Sequence, residues 1–333
     1  VRICSNFVTK ELPVFGLIIE THVHFRHITG DHTRNTPHFR RNAGRWLSAT
    51  PPISGLLFYR ASDVTTAICR RIPIRLRGLN VHYHPKSDLL NNRIILITGA
   101  GDGIGREAAL TYARFGAQVI LLGRTESKLA SVQQEIAARN LRPAFIYSLD
   151  LLTASQQDCQ RVADQIAQWV PHLDGVLHNA GLLTEITPMA DIKLQDWINV
   201  MQVNVNATFM LTQALLPLLQ KSASSSLVFT TSSVGREGRS GWGAYAVSKF
   251  ATEGMMQVLA EEHKHTGLRV NCINPGGTRT GMRASAFPDE NKDKLKTPAD
   301  IMPLYLYLMG DDSRRKTGIS FDAQPGRKAG PAE

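Results

Sequence analysis

Residues 94–123 read IILITGAGDGIGREAALTYARFGAQVILLG: an apolar run, a glycine cluster, an amphipathic stretch closed by Gly116, and a second apolar run. Apolar runs without polar alternation suit strands buried on both faces, the habit of parallel sheets. Parallel neighbours need a crossover, and IGREAALTYARFG has the length and apolar spacing of a helix that can supply it. The stretch is one βαβ unit, which commits the chain to a sheet covered by helices on both sides. Gly99, Gly101, Gly103 and Gly105 fall at the strand-to-helix turn, preceded by Thr98 and with Ile104 among them. Without Cβ atoms, such a turn lets backbone approach a pyrophosphate and lets helix pack on strand, while the helix N-terminus offers unpaired N–H groups and a positive dipole. The spacing is TGxxxGxG, not the commoner GxGxxG.

The alternation continues. RPAFIYSLDLL predicts a third strand running to Asp150 and Leu151, placed to meet an adenine edge, and LDGVLHNAG a fourth ending in Asn179, Ala180 and Gly181. SSLVFTTSS, GLRVNCINPGG and TGISFDAQPG supply three more, separated by helix-length segments, with GRKAGPAE as a flexible tail. The expected fold is α/β, a Rossmann-type doubly wound parallel sheet in a single domain. Ligands on such sheets bind beyond the carboxyl ends of the strands, where these motifs all fall. The second strand closes on Gly123, Arg124 and Thr125 with no carboxylate. An acid there would hold the ribose 2′-OH of NAD, whereas an arginine accommodates a 2′-phosphate. The cofactor expected is NADP(H), with NAD(H) possible because Asp102 puts an acid inside the glycine turn.

A formal charge of +10 raises the question of an anionic macromolecular partner. Residues 1–80 hold 12 Lys and Arg against 4 Asp and Glu, while residues 81–333 hold 26 against 24. The basic character belongs to the first segment, which shows no sustained helical or strand period. Three readings of it compete: a targeting presequence, a nucleic-acid-binding arm suggested by RRNAGR and CRRIPIRLR, and translation from an upstream start with the protein beginning near Val81. The third is favoured, with 1–80 a largely disordered extension and 81–333 the folded domain; neither nucleic acid nor membrane is then expected as a partner. Cys4, Cys69, Cys159 and Cys272 are scattered, with no pair or Cys/His cluster at zinc spacing, which argues for a reducing, cytoplasmic setting and no metal site.

YAVSK places Tyr245 and Lys249 on one helix face. Alone, the pair could be an ordinary solvated face. With TGAGDGIG, HNAG, Ser232, YAVSK and NPGGT in that order, the chain resembles the short-chain dehydrogenase/reductase family over about residues 90–326. VHYHPKSDLL, LHNAGLL and MQVNVNATFMLTQALLPLL resemble one bacterial branch of that family, and this closer likeness begins at Val81.

The resemblance implies a catalytic tetrad. Tyr245 and Lys249 match its YxxxK pair, Ser232 lies 13 residues before the tyrosine where Ser233 does not, and Asn204 in QVNVNATF matches better than Asn206. Asn179 belongs to the cofactor side, and Pro275, Gly276, Thr278 and Thr280 of NPGGTRT would seat the nicotinamide amide. The activity implied is hydride transfer between the nicotinamide and a small carbonyl or alcohol substrate, with tyrosine as acid and base. A phenol titrates at about 10, and a nearby ammonium lowers that value. Lys249 is expected to do so while holding the ribose, Ser232 to bind the carbonyl oxygen, and Asn204 to hold a water linking Lys249 to solvent. Arg236 and Arg239 read as solvated loop arginines and His178 as structural. Arg279 and Arg283 open what the resemblance implies is a substrate-covering loop, where they could contact cofactor phosphate or substrate. Met255, Met256 and Leu259 read as core or subunit contact, and the family implies a homodimer or homotetramer. The alternative is a non-catalytic dinucleotide-binding sensor or scaffold; a complete tetrad weighs against it. Nothing in the residues names the substrate.

Overall fold

The computed structural model describes residues 83–327 and Gly330. The basic segment 1–80, with every expectation attached to it, lies outside the described residues. Seven strands, β1 (Ile94–Thr98), β2 (Gln118–Gly123), β3 (Phe145–Ser148), β4 (Gly175–His178), β5 (Ser225–Thr230), β6 (Leu268–Asn274) and β7 (Ile319–Asp322), form one sheet. Their order is β3-β2-β1-β4-β5-β6-β7, and each neighbouring pair is parallel. The chain winds outward from β1 to β3, returns to β4, and winds the other way, so the crossovers diverge above β1 and β4 and leave a crevice at their carboxyl ends. This is the expected doubly wound fold.

The crossovers are α1 (Gly103–Arg114), α2 (Glu126–Ala138), α3 (Gln156–Trp169), the pair α4 (Leu194–Met201) and α5 (Ala207–Gln220), α6 (Gly243–Glu262), and the shorter α7 (Gly281–Ala286) with α8 (Pro298–Met309). All five residues of β1 are buried, for a reason the period-2 geometry of a strand makes plain. Ile95 and Ile97 pack with Ala108, Ala109 and Tyr112 of α1 and Tyr305 of α8. Ile94 and Leu96 point the other way, to Cys159, Val162 and Ile166 of α3 and Leu211 and Leu215 of α5. Truncating one such side chain to alanine costs about 2–5 kcal/mol.

Local signals fix the helix ends. Ser155 accepts the Asp158 N–H at 3.2 Å while the Asp158 carboxylate accepts the Ser155 N–H at 2.8 Å, a capping box that starts α3. Thr297 and Asp300 do the same for α8, with Pro298 at the first helical position. Between α4 and α5 the helix widens into a π turn, Gln202–Asn206. Such turns concentrate at functional sites, and this one contains Asn204. No helix among the described residues is long and apolar enough to cross a membrane. Nor do they include a cluster of three or more His, Cys, Asp or Glu side chains placed to hold a metal ion.

Candidate active site

The carboxyl ends of the strands open into a cavity of about 640 Å³. Its floor at one end is the glycine turn. Gly99 adopts φ +68°, a conformation that favours glycine, and Gly105 is pressed so close that a Cβ there would lie 2.2 Å from the Gly99 carbonyl oxygen. Asp102 starts α1 by accepting the Gly103 N–H at 2.7 Å and pairs with Lys128 of α2 at 2.6 Å, so the acid in the turn is neutralised by a lysine from the next crossover. The Lys128 partner holds the Asp102 carboxyl below its ordinary value, against partial burial. Arg124 and Thr125 line the same end beside Lys128. Strand β3 stops at Ser148, two residues short of Asp150, whose carboxylate accepts the Leu152 N–H at 3.0 Å and shapes the bend carrying Leu151 into the cavity wall.

At the other end Ser232, Tyr245 and Lys249 face one space. Ser232 leaves the tip of β5 in extended conformation and its Oγ accepts the Val234 N–H at 3.4 Å. Tyr245 and Lys249 lie one turn apart on α6, with the Lys249 Nζ 5.4 Å from the centroid of the tyrosine ring. That ammonium donates to the Thr230 carbonyl at 2.8 Å. Burial pushes it down to about 8, opposed by the Cys272 and Glu253 side chains. Burial pushes the Tyr245 phenol up to about 12, and the cation that pulls the other way is Arg283. In this arrangement Nζ is aimed at a main-chain oxygen, and burial sets the direction of the Tyr245 shift.

Three expected site residues do not line the cavity but sit one layer behind it. Thr98 Oγ1 accepts the N–H groups of Asn179 and Ala180, both at 3.0 Å, and so ties the ends of β1 and β4 together. Gly105 provides the close approach just described. Asn204 is 3% exposed: its Oδ1 accepts the Leu182 N–H at 2.7 Å and its Nδ2 donates to Leu182 O and Ser248 Oγ, both at 2.9 Å. That side chain is committed to fastening the loop after β4 onto α6 rather than reaching into the cavity. Gly99, Gly101, Gly103, Ile104, Asn179, Ala180, Gly181, Pro275, Gly276, Thr278 and Thr280 all reach the wall. Thr280 caps α7 by accepting the Arg283 N–H at 3.2 Å.

Other side chains take roles that short motifs do not announce. Arg236 is an ion-pair partner of Asp322 at the end of β7, with only 12% of its side chain exposed, and Arg239 donates to Ser233 Oγ at 2.9 Å; neither is the solvated arginine expected. Gln324 donates to Pro275 O and Gly277 O at 2.9 Å, clamping the loop after β6. Of the tail expected to be flexible, the described Gly330 accepts from Arg283 at 2.7 Å through its carbonyl; residues 328, 329 and 331–333 lie outside the described residues. Glu253 continues the Tyr245–Lys249 ladder by one more turn, is buried, and accepts from Ser320 at 2.8 Å. Its i+8 spacing from Tyr245 was a visible signal. His178 is structural as expected: buried, stacked on Phe229, 2.9 Å from Thr212 Oγ1, and pushed down to about 3 by burial.

A seven-stranded parallel sheet, a glycine-cradled cavity and a Ser-Tyr-Lys wall define a nucleotide-dependent oxidoreductase class. The short chain dehydrogenase family model matches residues 93–291, and the chain belongs to that family. It is 70% identical over 250 residues to the uncharacterized oxidoreductase YciK of Escherichia coli (strain K12), covering 75% of this chain and 99% of that protein. The solved structure of yciK from E. coli superimposes with a TM-score of 0.72 at 69% identity, over 73% of this chain and 100% of that one. A short chain dehydrogenase from Escherichia coli CFT073 complexed with NADPH matches at 70% identity and TM-score 0.71, over 72% of this chain and all of that one. One from Shigella flexneri 2a complexed with NADP matches at 69% identity and TM-score 0.71, with the same coverage.

Proposed function

We propose that this oxidoreductase uses NADP(H) to interconvert a small carbonyl compound and its alcohol, with Tyr245 as the proton donor and acceptor. The observation that carries the reading is the placement of Ser232, Tyr245 and Lys249 on one wall of a cavity whose far end is a glycine cradle beside Arg124 and Lys128. The residues fit the dinucleotide. Its pyrophosphate needs bare backbone, which the turn at Gly99–Gly103 offers, and its 2′-phosphate needs cations in place of a carboxylate, which Arg124 and Lys128 supply. Two relatives about 70% identical carry NADP or NADPH. When bound, the nicotinamide gives or takes the hydride.

The chain's own residues handle the oxygen and the proton. Ser232 Oγ donates to the carbonyl oxygen and holds it against the phenol as negative charge develops there. A phenol pushed up to about 12 keeps its proton until that charge appears, and then gives it up to the nascent alkoxide. Lys249, pushed down to about 8, is close enough to neutral pH to exchange a proton with solvent and re-supply the phenol. Asn204 acts at one remove, by fixing the loop at Leu182 to Ser248 on the catalytic helix. Exposed Val247, Phe250 and Val258 form an apolar stripe on α6 around Gly254, where nothing lies within 4 Å of a built Cβ. A second copy of the chain docking there, helix on helix, would make the expected homo-oligomer.

The test is a fluorescence titration of the purified protein with NADPH and NADH, followed by NADPH oxidation over a panel of carbonyl compounds. Tight NADPH binding with turnover that vanishes in Tyr245→Phe supports the reading. NADPH binding without turnover on any carbonyl would move the non-catalytic sensor ahead of it, and binding of neither nucleotide would end both.

A further inference from the structure

The substrate wall of the cavity holds a cation that the chemistry above does not use. Arg283 on α7 is gripped from behind: Nε and Nη2 each donate to a Glu290 carboxylate oxygen at 2.7 Å, and Nη2 also donates to Gly330 O. The Glu290 side chain is 2% exposed and faces a second guanidinium, Arg327, at 3.8 Å. Arg327 in turn lies on the main chain of Gly277, where a built Cβ would meet its Nη2 at 2.3 Å. Two guanidiniums against one carboxylate leave a positive excess among these three groups. Arg236 and Arg239 differ, since each has an acid of its own in Asp322 and Glu237.

The forward side of Arg283 is built for contact. Its guanidinium lies 4.1 Å from the Phe287 ring centroid, Phe287 packs on Trp242 at 6.0 Å, and Trp242 packs on Tyr245 at 5.8 Å. All four line the cavity, along with Met282. Nη1 of Arg283 has no hydrogen-bond partner among the described residues. A guanidinium already fixed through its other nitrogens loses little side-chain freedom when it takes one more acceptor. Its field also reaches the reacting oxygen, since it is the cation that opposes the burial-driven rise of the Tyr245 phenol.

We infer that Arg283 determines specificity: it receives a carboxylate carried by the substrate, so the preferred substrates are oxo acids whose apolar body rests on Trp242, Phe287 and Met282. This rests on the carbonyl–alcohol reading above, and it narrows the substrate class from carbonyl compounds to anionic ones. Buried Glu290 is the positioning residue that holds the guanidinium in place.

The experiment uses the full chain saturated with NADPH and two aryl oxo acids of different reach, benzoylformate and 3-benzoylpropionate, each beside its uncharged amide. Binding is read by quenching of tryptophan fluorescence, for which Trp242 is the local reporter, and turnover by NADPH oxidation. At least one acid is expected to outperform its amide by about 10- to 100-fold, the range of a charge-assisted hydrogen bond. Arg283→Leu should bring that ratio close to one, and Arg283→Lys should restore part of it. Equal use of acid and amide by the wild type overturns the inference while leaving the carbonyl–alcohol reading intact. So does an Arg283→Leu protein that loses acid and amide in the same proportion, since Arg283 would then only brace the loop. Charge-selective binding without NADPH oxidation would uphold the anion site and remove the proposed reaction.

Discussion

The two ends of the cavity are built differently. At the end proposed for the cofactor the wall is the backbone of one contiguous turn, Gly99–Gly103, backed by Gly105, with cations contributed by the residue after β2 and the start of α2. At the substrate end, side chains converge from the tip of β5, the start of α6, α7, the loop after it and the segment beyond β7. The first arrangement tolerates almost no change in shape and asks little of side-chain chemistry. The second depends on chemistry, because its cations are held by partners from other segments: Lys249 by Thr230 O, Arg236 by Asp322 and Arg283 by Glu290. One end is specified by geometry and the other by charge.

The sharpest way to separate the ends is Tyr245→Phe, which removes one oxygen and leaves the ring packed against Trp242. We expect a loss in kcat of about 10²–10⁴-fold, the usual worth of a positioned general acid, with NADPH affinity unchanged in a fluorescence titration. A comparable loss of NADPH affinity would mean that the two ends are not separable.

Next in size is Arg124→Ala. If the cation reads the 2′-phosphate, NADPH binding weakens by about 10- to 100-fold and NADH binding does not move. Equal weakening of both would transfer the role to Lys128. That residue is already engaged with Asp102, and Asp102→Asn should therefore free it and tighten NADPH binding.

These contrasts explain what could be read in the chain beforehand. The sheet was legible because strands buried on both faces are written as unbroken apolar runs, β1 and β2 above all. The turn was legible because glycines forced by close approach stand within seven residues of one another. Ser232, Tyr245 and Lys249 were legible through the family pattern that they match together, since the Tyr–Lys spacing alone could be an ordinary helix face. The arginines were not: whether Arg236, Arg283 or Arg327 faces solvent, an acid or a substrate depends on Asp322 and Glu290, which meet them only after folding. Asn204 was found by pattern, but its π turn and its grip on Leu182 go with the packing of α4 and the π turn itself against α6, which no local period records. Lys128 had no signal beyond its place in the first turn of the helix after Arg124.

Gly105→Ala tests the geometric end directly. The added Cβ would sit 2.2 Å from the Gly99 carbonyl oxygen, a backbone atom, and its own position is fixed by the Gly105 backbone, so neither can swing away. Forcing them apart should cost about 1–3 kcal/mol of stability and displace the turn, so NADPH affinity falls while the Ser-Tyr-Lys wall stays in place. Thermal unfolding with and without NADPH measures both quantities. An unchanged midpoint together with unchanged binding would mean that the turn is looser than its glycines imply.

The smallest effect lies where the two ends meet, at Lys249. Its value of about 8 lies below the 10.5 of an ordinary lysine, so between those limits the unfolded chain carries a proton that the folded chain does not. Stability then rises with pH across that window, by at most about 1.4 kcal/mol per pH unit. Below about 8 both states are protonated, and the cost of burying the ammonium is present in full. The Tyr245 phenol works in the opposite sense: its proton is held to about 12 when folded and to 10 when unfolded, so its contribution declines with rising pH above 10. The wild type should therefore gain stability from pH 8 to pH 10, and Lys249→Met should lack that gain while losing turnover. Denaturant unfolding at pH 7, 8, 9 and 10 makes the comparison, each variant serving as its own baseline. A slope that persists in Lys249→Met would assign the titration to another group, and the proton path proposed through this lysine would lose its electrostatic basis.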